Sequence, residues 1–252
     1  MVRLVCYNIE YCEGIEGRWY QYLEFWRIFF PPKGLDQRMV GTLKEIKPDI
    51  LALVEVDTGS FRAKKDEVVF FEKGLGMNSF VEKIKYPLQG WFSLFHHVPI
   101  LNKQANAIIS KFRISGVKYH LLHEGTKRVV IEATVHCPKR IRLLLAHLAL
   151  GGETRRKQIE ELIGIVNSID DPVILMGDFN TFKGEIEIKS LLKETHLKDM
   201  MRSRSMSTQP AWHPVKRLDY VLASPSIKIK RYEVLRYSFS DHLPLFVEFT
   251  VD

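Results

Sequence analysis

Six apolar, strand-like runs in this chain each carry at least one polar or charged side chain, in the run or at its end, that would be out of place in an ordinary core strand. Residues 2–11 hold Asn8, residues 50–56 hold Glu55, and residues 141–150 hold His147. The run from Val173 ends in Gly177, Asp178, Phe179 and Asn180; residues 217–223 hold Asp219; and Asp241 and His242 stand just before residues 243–251. A lone carboxylate or amide in an apolar strand is costly to bury without a partner or an ion. One such position has an ordinary explanation, as a satisfied core group or a strand end facing water. Six together call for a shared site at which the strand ends meet.

The remaining pattern says how those strands are carried. Leu35, Met39, Leu43 and Ile46 recur at helical spacing until Pro48. Phe61, Val68, Phe71 and Leu75 mark a second helix over residues 61–74, and Ile159, Leu162, Ile163 and Val166 place a third over residues 153–169. A short helix is expected around residues 185–193. Further strands are expected over 79–86, 105–112, 117–122, 129–136 and 227–235. No repeat or linker divides residues 1–252, so one domain is expected. So many strands, mixed with helices and hairpins, fit an α/β fold of two mixed sheets packed face to face with helices on the outer faces.

With 46% hydrophobic and 27% charged residues, the 252-residue chain has a globular composition and can bury a large core without staples. Three cysteines at no zinc-ligand spacing suggest neither a disulfide framework nor a structural zinc. A reducing, cytoplasmic setting is therefore expected, with no signal peptide and no transmembrane segment. The net charge of +7 draws such a chain towards polyanions, or simply solvates its surface.

Asp178 and Asn180 stand two apart, so in an extended chain both address the same side. Taken alone, the segment Met176–Asn180 is as well explained by an Asx turn. Adjacent Asp241 and His242 face opposite sides of an extended backbone, so one can meet a metal while the other meets a substrate. Asp219 needs a partner, and a histidine is a common one.

The ordered set Asn8, Glu55, His147, Asp178 with Asn180, Asp219, and Asp241 with His242 resembles the endonuclease/exonuclease/phosphatase superfamily over nearly the whole chain. The resemblance implies a deoxyribonuclease I-like four-layer sandwich and a Mg²⁺- or Mn²⁺-dependent phosphoester hydrolase. It implies that Glu55 is the principal metal ligand, with Asn8 and Asp241 as direct or water-mediated ligands. His242, oriented by Asp219, would contact the scissile phosphate; Asp178 would align or deprotonate the attacking water beside Asn180; His147 would assist the transition state or leaving group. Whether Asp178 or His242 is the base stays open. Asn106 is expected to support the phosphate or His147.

The resemblance implies a phosphate-ester substrate. The segments CYNIEY and LVEVD lack the marks of abasic-site endonucleases, and Thr181 and Phe182 replace the continuation expected of inositol polyphosphate 5-phosphatases. Nucleic acid is favoured over phospholipid by the positive charge and by Arg202, Arg204, Lys216 and Arg217, which could follow a phosphate backbone. A lipid head-group ester is supported by the aromatic insert Trp19, Tyr20, Tyr22, Phe25, Trp26, Phe29 and Phe30, with Trp91, Phe92 and Phe95. That insert is expected to pack into the core as an amphipathic helix, although its aromatics could also stack bases. A non-catalytic binding module is the third alternative, and the complete residue set speaks against it.

Overall fold

The computed structural model describes residues 1–15, 19–63, 65–85, 101–201 and 206–251. The positions Trp91, Phe92, Phe95, His96, His97, Arg202 and Arg204 lie outside the described residues.

Twelve strands form two six-stranded mixed sheets. In the first, β1 (Val2–Asn8) and β2 (Ile50–Asp57) run parallel at the centre. They are flanked by β3 (Ser79–Ile84), β4 (Gln104–Ser110), β11 (Ile227–Val234) and β12 (Leu245–Val251) in the order β11-β12-β1-β2-β4-β3. The second sheet has β7 (Arg140–His147) parallel to β8 (Val173–Asp178). Around them lie β5 (Ile114–Leu121), β6 (Val129–His136), β9 (Lys198–Asp199) and β10 (Asp219–Ala223), in the order β5-β6-β7-β8-β10-β9.

The near-continuous apolar runs follow from burial on both faces. Leu4, Cys6, Ala52 and Val54 meet Ile131, Leu143, Leu145 and Met176 between the sheets. The alternate residues Val5, Tyr7, Leu51 and Leu53 face outward onto α1 (Leu35–Ile46) and α2 (Glu67–Leu75). On the second sheet, Leu144, Leu175 and Leu222 pack beneath α3 (Gly152–Asn167) and α4 (Lys189–Glu194). This gives the four layers expected from the order of elements.

Two local expectations are revised. The helix expected over residues 61–74 starts only at Glu67, because the Asp66 side chain accepts from Val69 N and caps it there, leaving Phe61 58% exposed. The aromatic insert forms two short 3-10 turns, Trp19–Leu23 and Phe25–Ile28, instead of a core-packing helix. Tyr20, Leu23, Trp26, Phe29 and Phe30 of this insert are exposed.

The register explains why the polar interruptions converge. Asn8 pairs with Val54 across the parallel β1–β2 ladder, and His147 with Asp178 across β7–β8. Asp219 opens β10 opposite Asp178. The C-terminal ends of the four central strands therefore lie at one end of the sandwich, where open α/β sheets place their ligands.

Gly177 makes the turn out of β8 possible. Its φ is +133°, and a Cβ there would sit 1.9 Å from the Ala146 carbonyl oxygen. Gly177→Ala is expected to destabilise the fold by on the order of 3 kcal/mol. Denaturant unfolding checks this, and an unchanged midpoint would show that β7 can yield to the added methyl.

Candidate active site

Asn8, Glu10, Glu55, Lys127, Leu150, Asp178, Asn180, Phe182, Gln209, Leu218, Asp241 and His242 line one pocket of about 150 Å³. Asp178 is at its centre. Its Oδ2 accepts from Asn8 Nδ2 at 3.0 Å and lies 3.4 Å from His147 Nε2 and 3.9 Å from His242 Nε2. Its Oδ1 accepts from the Asn180 backbone N–H at 3.0 Å. Burial, opposed by His242 and reinforced by Asp219, raises its pKa to about 6.

Asp178 and Asn180 share a wall by a route other than strand alternation. The strand ends at Asp178, and Asn180 adopts φ +52° with its Nδ2 donating to the Leu148 carbonyl. The Asx-type bond expected of a simple turn is present, and the same carboxylate still faces the pocket.

The two histidines are in opposite states. His242 shares a 2.7 Å hydrogen bond between Nδ1 and Asp219 Oδ2. Burial works against its charge, but Asp219, Asp241 and Asp178 outweigh it and hold the imidazolium well above the usual pKa. His147 is pushed well below that value by burial and by Lys127 and Lys85. Among the described residues neither of its ring nitrogens has a hydrogen-bond partner, so a buried neutral imidazole stands beside Asp178 and Glu55 with its hydrogen-bonding capacity unused.

Glu55 reaches the pocket through a break in pairing. The β2–β4 register shifts between Leu53 and Val56, and Glu55 takes φ +61°, as in a bulge that re-aims a side chain. Asn106 Oδ1 accepts from the Glu55 backbone N–H at 3.2 Å. Asn106 thus braces the bulge through its side-chain carbonyl, a contact beside the support of the phosphate or His147 expected from the sequence. Glu55 Oε1 accepts from Lys85 Nζ at 3.1 Å and lies 3.5 Å from Lys127 Nζ. Its burial is outweighed by these two ammonium groups, and its pKa falls to about 2.

Arg217 is reassigned. Its two terminal nitrogens bond the Asp199 carboxylate at 2.6 and 2.9 Å, one of them also reaching Glu185, and the side chain is 10% exposed. This bidentate pair turns the guanidinium towards β9 and away from a phosphate. Arg155 and Gln158, at the start of α3, brace loops: Arg155 donates to the carbonyls of Ala149 and Leu150, and Gln158 to those of Glu124 and Lys127.

A model of the endonuclease/exonuclease/phosphatase family matches residues 8–242, which spans Asn8 to His242. The chain belongs to the endonuclease/exonuclease/phosphatase family. Among solved structures, it is similar to the mannosyl-6-phosphatase Bt3783 of Bacteroides thetaiotaomicron at 16% identity and TM-score 0.71, covering 99% of this chain and 100% of that one. It is similar to the human Nocturnin catalytic domain with bound sulfate at 20% identity and TM-score 0.67, covering 100% and 93%. It is likewise similar to an endonuclease/exonuclease/phosphatase from Beutenbergia cavernae at 19% identity and TM-score 0.71, covering 99% and 71%. A search of curated protein sequences finds no match.

This family comprises phosphoester hydrolases that generally depend on a divalent metal, and the residues here fit one. Glu10 Oε2 is buried without a hydrogen-bond partner. Burial, then Asp241, Glu13 and Glu55, push the Glu10 pKa well above its usual value. Hard carboxylate oxygens crowded in this way suit Mg²⁺ or Mn²⁺. Asn8 acts at close range: its Oδ1 accepts from the Glu10 N–H and its amide fixes Asp178. Asp178, Asp219 and His242 also converge within 4.8 Å of one another. Since His242 Nδ1 and Asp219 already share a hydrogen bond, that trio is better suited to holding a proton than an ion.

Glu10, Lys85, Lys127 and Gln209 were not singled out as site residues by the sequence. Glu10 had a signal, standing two residues after Asn8 at the end of the same run. Lys85 had none, since it is an ordinary lysine at a strand end until folding buries it against Tyr11 and Glu55.

The raised pKa of Asp178 carries a stability consequence. Between about pH 4 and 6 the folded chain retains a proton that the unfolded chain has lost, so this group's stabilising contribution is lost as pH rises through that window. Asp178→Asn is expected to stabilise the metal-free protein by roughly 1–2 kcal/mol at pH 7, with the gain vanishing near pH 4. Thermal unfolding across that range tests it; a loss of stability at pH 7 would contradict it.

Proposed function

We propose that this chain hydrolyses a phosphate ester by metal-assisted attack of water, with Asp178 and His242 acting on opposite sides of the proton inventory. The observation that carries this is the arrangement around Asp178 Oδ2, which has His147 Nε2 at 3.4 Å and His242 Nε2 at 3.9 Å and shares a pocket with Glu10, Glu55 and Asp241. A bound Mg²⁺ or Mn²⁺ held by Glu55, with Glu10 and Asp241, would neutralise charge developing on the phosphate oxygens. Asp178, with a pKa of about 6, is ionised at neutral pH and close enough to that value to accept a proton from water. His242 is held cationic by Asp219 and offers its Nε2 to a phosphate oxygen. This favours Asp178 as the base. His147, neutral and unpartnered, would supply a hydrogen bond to an oxygen on the pentacoordinate phosphorus or to the leaving oxygen.

Two ester classes remain. Nucleic acid is supported by the net charge of +7 and by Lys127 in the pocket wall. The basic stretch contributes less than its sequence suggests, because Arg217 is engaged by Asp199. The phospholipid reading gains a specific observation: Tyr20, Trp26, Phe29 and Phe30 of the aromatic insert are exposed.

Purified protein with Mg²⁺ or Mn²⁺ is expected to hydrolyse at least one of nucleic acid, nucleotide, inositol phosphate or phospholipid substrates. Chelation should abolish turnover, and Asp178→Asn should lower kcat by on the order of 10²–10⁴. Silence across the whole panel would refute the proposal, and hydrolysis confined to choline or inositol lipids would refute its nucleic-acid form. Asp219→Asn removes the principal charge supporting the imidazolium, so the alkaline limb of the pH–rate profile should move to lower pH. An unmoved limb would remove the imidazolium from the mechanism.

A further inference from the structure

Two ammonium groups address one carboxylate oxygen at the pocket, and they are held differently. Lys85 Nζ donates to Glu55 Oε1 at 3.1 Å and to the Tyr11 hydroxyl at 2.7 Å, and its side chain is 2% exposed. Lys127 Nζ lies 3.5 Å from the same oxygen, with its side chain 20% exposed. Among the described residues that line the pocket with Glu10, Glu55, Asp178 and His242, Lys127 is the one lysine. Lys85 is committed to the protein, whereas Lys127 presents its charge to whatever enters.

A lysine in a hairpin loop is ordinarily a solvated surface group, but the loop that carries Lys127 is braced. It joins β5 to β6 and is closed by the Leu122 N–H, which donates to the Arg128 carbonyl at 2.8 Å. The buried Gln158 of α3 donates to the carbonyls of Glu124 and Lys127 at 2.8 Å each, and its Oε1 accepts from the Ala149 N–H at 2.8 Å. One amide thereby ties the loop of Lys127 to the segment that carries Leu150, a second residue of the pocket wall. The fit is close: Gly125 has φ +93°, and a Cβ there would come within 2.9 Å of Gln158 Nε2. A charge on a backbone held in this way is positioned for a ligand.

The charge has two opposite effects. A divalent ion held by Glu55 and the Lys127 ammonium are both cations drawn to one carboxylate, so the presence of each makes the other less favourable, and a half-enclosed pocket screens that repulsion only in part. A phosphate ester brings the opposite sign. An ammonium on the pocket wall makes a charge-assisted hydrogen bond to an anionic phosphate oxygen, and the anion offsets the repulsion between ammonium and metal.

We infer that Lys127 is a substrate-binding residue that meets a non-bridging oxygen of the phosphate ester, and that the same charge weakens metal binding at Glu55 until that phosphate is present. The inference rests on the metal-assisted reading above and adds a reciprocal coupling between metal and substrate anion.

The test measures two affinities of the full chain without turnover: Mn²⁺ alone, followed by electron paramagnetic resonance, and sulfate, titrated calorimetrically into Mn²⁺-loaded protein as a tetrahedral dianion. Lys127→Met should bind Mn²⁺ about three- to tenfold more tightly and sulfate at least about fivefold more weakly, with Lys127→Arg returning both towards the wild type. Misfolding does not produce opposite signs on two ligands, and the unfolding midpoint should be unchanged; should Lys127→Met fail to fold, Lys127→Gln takes its place. Mn²⁺ affinity that is unchanged or weaker in Lys127→Met would overturn the inference. So would tighter Mn²⁺ with unchanged sulfate, which would leave Lys127 as no more than a counter-ion of Glu55, and so would a wild type that binds Mn²⁺ but no sulfate. Glu55→Gln should lose Mn²⁺. A wild type that binds no Mn²⁺, or a Glu55→Gln variant that keeps it, would remove the metal-assisted reading and this inference with it, an outcome distinct from the failure of Lys127 alone.

Discussion

The structure depends on keeping several carboxylates at one end of an apolar sandwich, where an unpaired charge is expensive. Each is compensated differently. Asp219 is matched by the His242 imidazolium, Glu55 by the ammonium groups of Lys85 and Lys127, Asp178 by N–H donors from Asn8 and Asn180, and Asp241 by Gln209 Nε2 at 3.3 Å. Glu10 retains a buried oxygen with no partner. That oxygen shares a pocket with Glu55 and Asp241, where a divalent cation, if bound, would supply the missing partner. Opposite charge states in His147 and His242 arise from the same source. One imidazole faces carboxylates, and the other is buried near two lysines.

Holding this arrangement requires backbone conformations that side-chain-bearing residues usually avoid. Among the described residues, six non-glycine positions have positive φ, and five of them, Glu10, Tyr11, Cys12, Glu55 and Asn180, are at or beside the pocket. Such conformations cost on the order of 1–3 kcal/mol each and persist where surrounding contacts over-determine them. Those contacts are present. Lys85 Nζ donates to the Tyr11 hydroxyl at 2.7 Å, and the buried Arg62 bonds Asp57 and Glu13 at 2.8 Å each, tying the end of β2 to the turn that carries Glu10. Asp57 is held in turn by donors from Gly59 and Ser60.

Much of this was legible in the sequence because burial on both faces writes itself as uninterrupted apolar runs, against which single polar residues stand out. Helix α1 spans Leu35–Ile46, as its spacing indicates, since a strong 3.6-residue period and a following proline leave little choice. The aromatic insert misleads for a related reason. Its aromatics recur densely enough to suggest a buried face, but its backbone forms two short 3-10 turns, and Tyr20, Leu23, Trp26, Phe29 and Phe30 are exposed. Asn106 and Arg217 were found as positions while the contacts they make were not legible, because a contact depends on what lies opposite. The Glu55 bulge faces Asn106 and Asp199 faces Arg217, and both contacts bridge segments distant in the chain.

The sequence by itself determined the layered fold, the family, and the ordered set from Asn8 to His242, because strand burial and residue chemistry are properties of short segments. Tertiary structure alone decided which carboxylates share a wall, which histidine carries the proton, and that Lys85 is buried against Glu55. It also decided that Tyr20, Leu23, Trp26, Phe29 and Phe30 are exposed. Those outcomes depend on distances and solvent access between segments, and Coulombic and desolvation energies are set by such distances rather than by position along the chain.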